Sequence, residues 1–202
     1  RTASKAQSTL DTWPVVTIQL PVYNEQYVVG RLIDTVCKIS YPPDRLEIQV
    51  LDDSTDETTA IAKASVERHQ SEGVDIHYIH RTERKGFKAG ALEEGLKNAR
   101  GQFIAIFDAD FIPPEDILKR TMPGFSDGTI AMIQTRWDHL NRGYSLLTQV
   151  QAIMLDGHFV MEHGARFRSG RFFNFNGTAG VWRTRSISDA GGWQGDTLTE
   201  DL

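Results

Sequence analysis

Asp108 and Asp110 close the segment FIAIFDAD (103–110), in which every other residue is uncharged. Residues i and i+2 of an extended chain point the same way, so the pair could present two hard oxygen donors to one cation. Mg²⁺ or Mn²⁺ is bound in this manner, through one or two carboxylates completed by substrate phosphates. A turn made with Pro113 and Pro114 accounts for the same residues without a metal, and an acid-x-acid pair alone leaves both readings open. Asp52 and Asp53, ending a second apolar run, favour a site, because four carboxylates converging without a cation would repel one another.

A metal-held phosphate ester calls for cations nearby. Arg81, Arg84, Lys85 and Lys88 supply them within HRTERKGFKAGAL (80–92), where Gly86 and Gly90 would let the backbone close on a ligand. A solvated basic face ahead of a helix explains the same run taken alone. No GxxxxGK[ST] is present, which excludes a P-loop kinase or ATPase, and no GxGxxG follows the first strand, which counts against a dinucleotide enzyme. What remains is a nucleotide bound by a divalent metal and scattered side chains.

The elements that position these residues follow from periodicity. VVTIQLP (15–21), LEIQVLDD (46–53), VDIHYIH (74–80) and FIAIFDAD read as strands, rich in β-branched residues. Between them, 25–39, the stretch after Ser54 or Asp56 as cap, and 88–99 carry helical spacing. This alternation predicts an α/β fold with a mostly parallel central sheet flanked by helices. Ligands of such sheets bind at the carboxyl ends of the strands. PVYNE (21–25), DDS (52–54), HRTERKG (80–86) and DAD (108–110) all fall there. After Pro114 the rhythm loosens: TIAMIQTRW (129–137) is expected as a strand, 144–167 as a long helix, FFNFNGTAGVW (172–182) as strand and turn, and 184–190 as a short helix. Residues 1–14 form a polar leading segment, and 15–202 one domain with an acceptor-side elaboration at its C-terminal end.

Composition bounds the function. A net charge of −5 disfavours nucleic acid as a partner, since phosphate contacts need a basic surface. Cys37 stands alone, so neither an intramolecular disulfide nor a thiolate metal cluster is available. The chain shows no signal-peptide pattern and no apolar run near the ~18 residues of a membrane span. His77 and His80 have odd spacing in a strand and so face opposite sides, and His158 with Glu162 is a helical polar pair, not HExxH. Trp137, Phe159, Phe172, Phe173, Phe175 and Trp182 read as core, although a few could line a sugar channel. From 140 to 186 the only cations are six arginines against Asp156 and Glu162, a pattern that suits a solvated surface or anionic lipid headgroups.

PVYNE, LDDS, KGFKAGAL, FDAD, FNFNGTAGVWR and TLTED occur here in the order seen in family 2 glycosyltransferases. The chain most resembles the cellulose-synthase-like and glucomannan-synthase-like membrane β-glycan synthases, from Val15 to Leu202. The resemblance implies a GT-A fold. It implies that Tyr23, Glu25 and Asp53 hold the nucleoside, with Lys85 near the diphosphate. Asp108 and Asp110 would correspond to the metal-binding DxD, with Mg²⁺ or Mn²⁺ as cofactor and Asp108 also near the donor. Asp201 would be the general base, with Phe175, Asn176, Gly177 and Glu200 near the acceptor. Such synthases carry a further Gln-x-x-Arg-Trp motif after TED, then membrane spans. QTRW (134–137) is one residue short and lies upstream, so the two are not equated. The resemblance therefore describes a catalytic domain truncated at its C-terminus and itself soluble. The full-length protein would be membrane-associated through segments outside this chain, with the domain facing the cytoplasm if bacterial.

The expected reaction is an inverting, metal-dependent transfer of a hexose from UDP-glucose or GDP-mannose to a growing β-glycan. Asp201 would take the acceptor proton as an oxocarbenium-like centre develops. Three alternatives stand beside it: a soluble, non-processive family 2 enzyme acting on a lipid or small acceptor, a nucleotidyltransferase, and a non-catalytic nucleotide-binding module.

Overall fold

The computed structural model describes residues 12–172 and 174–195. Among them, β1 (Val16–Val22), β2 (Leu46–Asp52), β3 (Ile76–His80), β4 (Phe103–Ile106), β5 (Met132–Gln134) and β6 (Gly180–Arg183) form one sheet in the order β3-β2-β1-β4-β6-β5. The first four strands are parallel, and β6 runs antiparallel to both β4 and β5. The mostly parallel sheet is thus present, and its antiparallel edge comes from the half of the chain where the strand–helix rhythm loosens. The order reverses at β1, between β2 and β4, which opens a crevice at their carboxyl ends.

Alternation along the strands builds two cores. Val16, Ile18 and Leu20 of β1 face Val29, Leu32, Ile33 and Val36 of α1 (Val29–Val36), together with Ala62 and Val66 of α2 (Thr58–Ser71). Ile104 and Ile106 point the other way, into a cluster with Leu92 of α3 (Phe87–Asn98) and Ile187 of α7 (Thr184–Asp189). Fully burying each such aliphatic side chain contributes about 1.5–3 kcal/mol. On this second face β1 and β2 bury polar residues: Gln19 Nε2 donates to Gln49 Oε1 at 3.1 Å, and the Gly101 amide donates to Thr17 Oγ1 at 2.9 Å. α3 can lie over this polar strip because Gly95 has no Cβ; one built there would stand 2.5 Å from Gln19 Nε2.

Element boundaries differ from the sequence reading in ways that matter for the site. The helix expected over 25–39 begins at Val29, so Glu25 sits in the preceding turn, where its carbonyl accepts from Val28 and Val29. The strand expected to run to Asp110 ends at Ile106. Asp108 and Asp110 therefore lie in a turn, closed by the Phe111 amide donating to the Asp108 carbonyl at 3.0 Å. The i, i+2 strand argument for their common direction does not apply.

α4 (Ile117–Thr121) packs beneath that turn. α5 (Leu146–Asp156), a π-helical stretch (Gly157–His163) and α6 (Gly164–Arg168) make the long helix expected over 144–167. Ser145 and Thr148 form a capping box at its start. Ala152, Phe159 and His163 are its buried positions, whereas Leu146, Leu147, Ile153, Met154 and Met161 are exposed. No helix among the described residues is long and apolar enough to cross a membrane.

Candidate active site

A cavity of about 320 Å³ occupies the crevice at the carboxyl ends of β1, β2 and β4. Tyr23, Glu25, Asp53, Asp108 and Asp110 line it, drawn from three separate segments of the sequence. Arg84 and Lys88 complete its charged wall. Five of the residues expected at a nucleotide site thus meet at one place. Lys85 does not line it; its side chain is exposed, and its carbonyl accepts from Arg81 Nη1 at 3.1 Å. Lys88 lies one turn before Ala91, which also lines the cavity, and residues i and i+3 share a helix face. The sequence marks Lys88 only as one of four cations in this stretch, with Arg81, Arg84 and Lys85.

The carboxylate doublet divides its labour. Asp52 ends β2 with no exposure and faces the first core. Tyr78 Oη donates to it at 2.6 Å and the Ser54 amide at 2.9 Å. Burial pushes its carboxyl up, but the hydrogen bonds from Ser54 and Tyr78 together outweigh it and hold the group below the usual range. Asp52 is structural and does not join the other carboxylates. Asp53, on the opposite side of the pleat, lines the cavity, and Arg81 grips it with both arms: Nε to Oδ1 at 2.7 Å, and Nη2 to Oδ2. Arg81 also donates to the Phe87 carbonyl at 2.9 Å. One guanidinium therefore fixes Asp53 and the loop entering α3, where Gly86 takes φ 72° and Phe87 φ 48°. A Cβ on Gly90 would collide with the Lys85 carbonyl, so the loop needs glycine there.

Arg84 lies over the Tyr23 ring, its guanidinium carbon 3.5 Å from the ring centroid. Asn24, with φ 56°, ties this loop to the next strand end: its amide donates to Ser54 Oγ, and its Oδ1 accepts from the Thr55 amide, both at 2.9 Å. Across the crevice, Lys88 Nζ sits 2.7 Å from Asp108 Oδ1 and 2.9 Å from the Gly177 carbonyl. The Asp108 amide donates to Thr178 Oγ1 at 3.0 Å. The FNFNGTAG segment is thereby stitched to the DxD turn, with Gly177 at φ 74° and Ala179 at φ 53°. Asn176 receives a contact from His158 Nε2 at 3.3 Å and donates its amide to Gln134 Oε1 at 3.0 Å. Phe175 is buried, with Trp182 5.5 Å away centroid to centroid. Neither the Asn24 tie nor the Lys88 bridge was readable beforehand. Asp201 and Glu200 lie outside the described residues.

A second, larger cavity of about 800 Å³ opens on the other side of Asp110, lined among others by Phe111, Thr135, Trp137, His139 and Ala179. Trp137 Nε1 and His139 Nδ1 are buried there without a hydrogen-bond partner. Trp137 is core and cavity wall at once: its ring packs on Phe111 and Phe159, and the residue lines this space.

The donor set suits a hard divalent cation. Burial raises the Glu25 carboxyl above its ordinary value, and Asp110 and then Asp108 push it further, so both aspartates repel Glu25 across the cavity. Among the described residues no three acidic, His or Cys side chains converge closely enough to cage an ion. Mg²⁺ and Mn²⁺ accept that arrangement, since they take one or two carboxylates and leave positions for phosphate oxygens and water. Because Glu25 is easier to protonate folded than unfolded, its ionisation costs stability as pH rises above its ordinary range. Glu25→Gln should therefore melt above the parent chain at pH 7 without metal, and the gap should close in acid or on adding Mn²⁺. A variant that melts lower at pH 7 would show that no such repulsion exists.

A reversing parallel sheet with a DxD turn at its crevice is the architecture of a nucleotide-sugar-dependent glycosyltransferase of GT-A type. The glycosyl transferase family 2 model matches residues 17–187, and the chain belongs to that family. It is 45% identical over 195 residues to glucomannan 4-beta-mannosyltransferase 1 of Oryza sativa subsp. japonica, covering 94% of this chain and 37% of that protein. It is 44% identical to glucomannan 4-beta-mannosyltransferase 2 of Arabidopsis thaliana, covering 94% and 36%. The chain thus spans about a third of the length of the curated relatives it matches. Among solved structures it is similar to a mannosyltransferase from Pyrobaculum calidifontis in complex with GDP-Man and Mn²⁺, with TM-score 0.74 and 25% identity over 95% of this chain and 50% of that one. S. aureus TarS 1-349 in complex with UDP shares the fold, with TM-score 0.66 and 18% identity over 93% of this chain and 52% of that one.

Proposed function

We propose that this chain is the catalytic domain of a hexosyltransferase that moves mannose from GDP-mannose to the 4-hydroxyl of a growing β-glycan, with inversion and with a divalent cation. The observation that carries this reading is the convergence of Tyr23, Glu25, Asp53, Asp108 and Asp110 on one crevice beside Arg84 and Lys88. The relatives' 4-beta-mannosyltransferase names and the GDP-Man and Mn²⁺ of the Pyrobaculum structure favour GDP-mannose over UDP-glucose.

Tyr23, Glu25 and Asp53 bind the nucleoside in this account, Asp53 being held in place by Arg81. Arg84 and Lys88 face the diphosphate, and Lys85 adds charge from the exposed loop beside them. Asp108 and Asp110 would hold Mg²⁺ or Mn²⁺, which when bound supplies charge neutralisation to the departing diphosphate. A β-linked product from an α-linked nucleotide sugar requires displacement from the opposite face of the anomeric carbon. The acceptor oxygen forms its bond to that carbon, the bond to the diphosphate breaks, its electron pair leaves with the GDP, and the acceptor proton passes to Asp201. Asn176, Gly177 and Glu200 would shape the acceptor side, with Phe175, buried against Trp182, anchoring that segment from the core, and the cavity beside Trp137 would extend it. Membrane attachment, through segments beyond residues 1–202, belongs to the same proposal.

The test supplies membranes containing the full-length protein with labelled GDP-mannose or UDP-glucose, with and without Mn²⁺. Label from GDP-mannose should enter a polymer cut by endo-β-mannanase, with GDP released. Incorporation from UDP-glucose alone, or release of pyrophosphate in place of GDP, would refute the assignment.

A further inference from the structure

Lys88 stands where the cation's charge is needed. Its ammonium is 2.7 Å from Asp108 Oδ1 and 2.9 Å from the Gly177 carbonyl, and it lies in the first turn of α3, directly after the left-handed Gly86 and Phe87. The Asp108 amide is bound separately to Thr178 Oγ1, so the turn keeps its shape independently of the ion pair. The long lysine side chain can swing away without disturbing that backbone bond. A divalent ion on the Asp108 carboxylate and an ammonium within hydrogen-bonding distance of it repel each other, and they compete for the same oxygen. The side chain also lines the cavity in which the diphosphate would lie.

We propose that Lys88 is an exchangeable positioning residue: it holds the Asp108 carboxylate until the cation arrives, then transfers to the donor's diphosphate. This rests on the reading of Asp108 and Asp110 as the metal site. Cation and diphosphate binding are then linked through one side chain, and by reciprocity each strengthens the other. The Gly177 carbonyl shares that ammonium, so the same exchange reaches the acceptor-side segment 176–179.

The experiment uses this 202-residue chain and follows free Mn²⁺ by its paramagnetic resonance signal, then GDP binding by calorimetry at saturating Mn²⁺. Without nucleotide, Lys88→Met should bind Mn²⁺ about fivefold more tightly than the parent, whereas its GDP affinity falls about tenfold. Lys88→Arg keeps the charge and should not gain Mn²⁺ affinity, and Lys97→Met, a change at an exposed lysine on the far part of α3, should resemble the parent. A lysine that merely supports the fold would weaken both ligands and the melting temperature together, so the opposite signs are diagnostic. Lys88→Gln keeps a donor for the Gly177 carbonyl without the charge, and gives the same answer should the Met variant not fold. Equal or weaker Mn²⁺ binding by the uncharged variants overturns the exchange. Asp108→Asn separates the two levels. If it loses Mn²⁺ while the lysine variants do not tighten it, only the exchange is wrong; if it binds Mn²⁺ like the parent, the metal site and the exchange fall together.

Discussion

Asp108→Asn should lower sugar transfer by about 10²- to 10³-fold in the full-length protein, the typical cost of removing one group that stabilises charge developing in the transition state. The side chain carries the negative charge that the cation needs, whereas its place in the turn depends on backbone bonds. The Thr178 hydroxyl holds the Asp108 amide, and the Asp108 carbonyl holds that of Phe111. The partly exposed pair with Lys88 is of a kind that contributes about 0–1 kcal/mol, and the backbone bonds survive the change, so the variant should fold. The measurement is the initial rate of GDP release under saturating Mn²⁺, paired with a melting curve. A rate within a few-fold of the parent would remove Asp108 from the chemistry. A rate loss accompanied by a large drop in melting temperature would reassign it to the fold.

Asp201→Asn should be at least as damaging, by about 10²- to 10⁴-fold, the usual contribution of a general base. Its signature differs from that of Asp108. Under the proposed role the amide cannot accept the acceptor proton and removes no group assigned to the donor, so GDP and Mn²⁺ affinities should stay close to the parent values. Loss of turnover with retained donor binding supports a base acting on the acceptor; retained turnover excludes Asp201 from that role.

The β-branched runs ending in polar clusters announced β1 to β4, and with them the edge where ligands bind, because buried parallel strands leave that periodic trace. Which carboxylate faces the ligand was harder. Asp52 follows Ile48 and Val50 on one face of the pleat and so points to the core side, but only the fold brings Tyr78 and Ser54 to satisfy it. Phe103 to Asp110 carries no mark of where strand gives way to turn, since Phe107 and Ala109 are buried whether or not the ladder continues. Within the long helix hydrophobicity does not mark the buried face: Leu146, Leu147, Ile153 and Met154 are exposed, whereas Ala152, Phe159 and His163 are buried. Its π-helical stretch, which presents His158 to Asn176, leaves no sequence signature at all. Contacts such as Lys88 with Gly177 join residues 89 positions apart and depend on the folded crevice alone.

The crevice as a nucleotide-diphosphate site completed by a divalent cation is tested most directly by the melting temperature of this chain with GDP and UDP, each with and without Mn²⁺. A ligand that binds only the folded state raises its stability in proportion to affinity and concentration. GDP with Mn²⁺ should give the largest rise, GDP alone little, and the Asp108→Asn, Asp110→Asn double variant none. An equal rise without Mn²⁺, an undiminished rise in the double variant, or no response to either nucleotide would contradict the account.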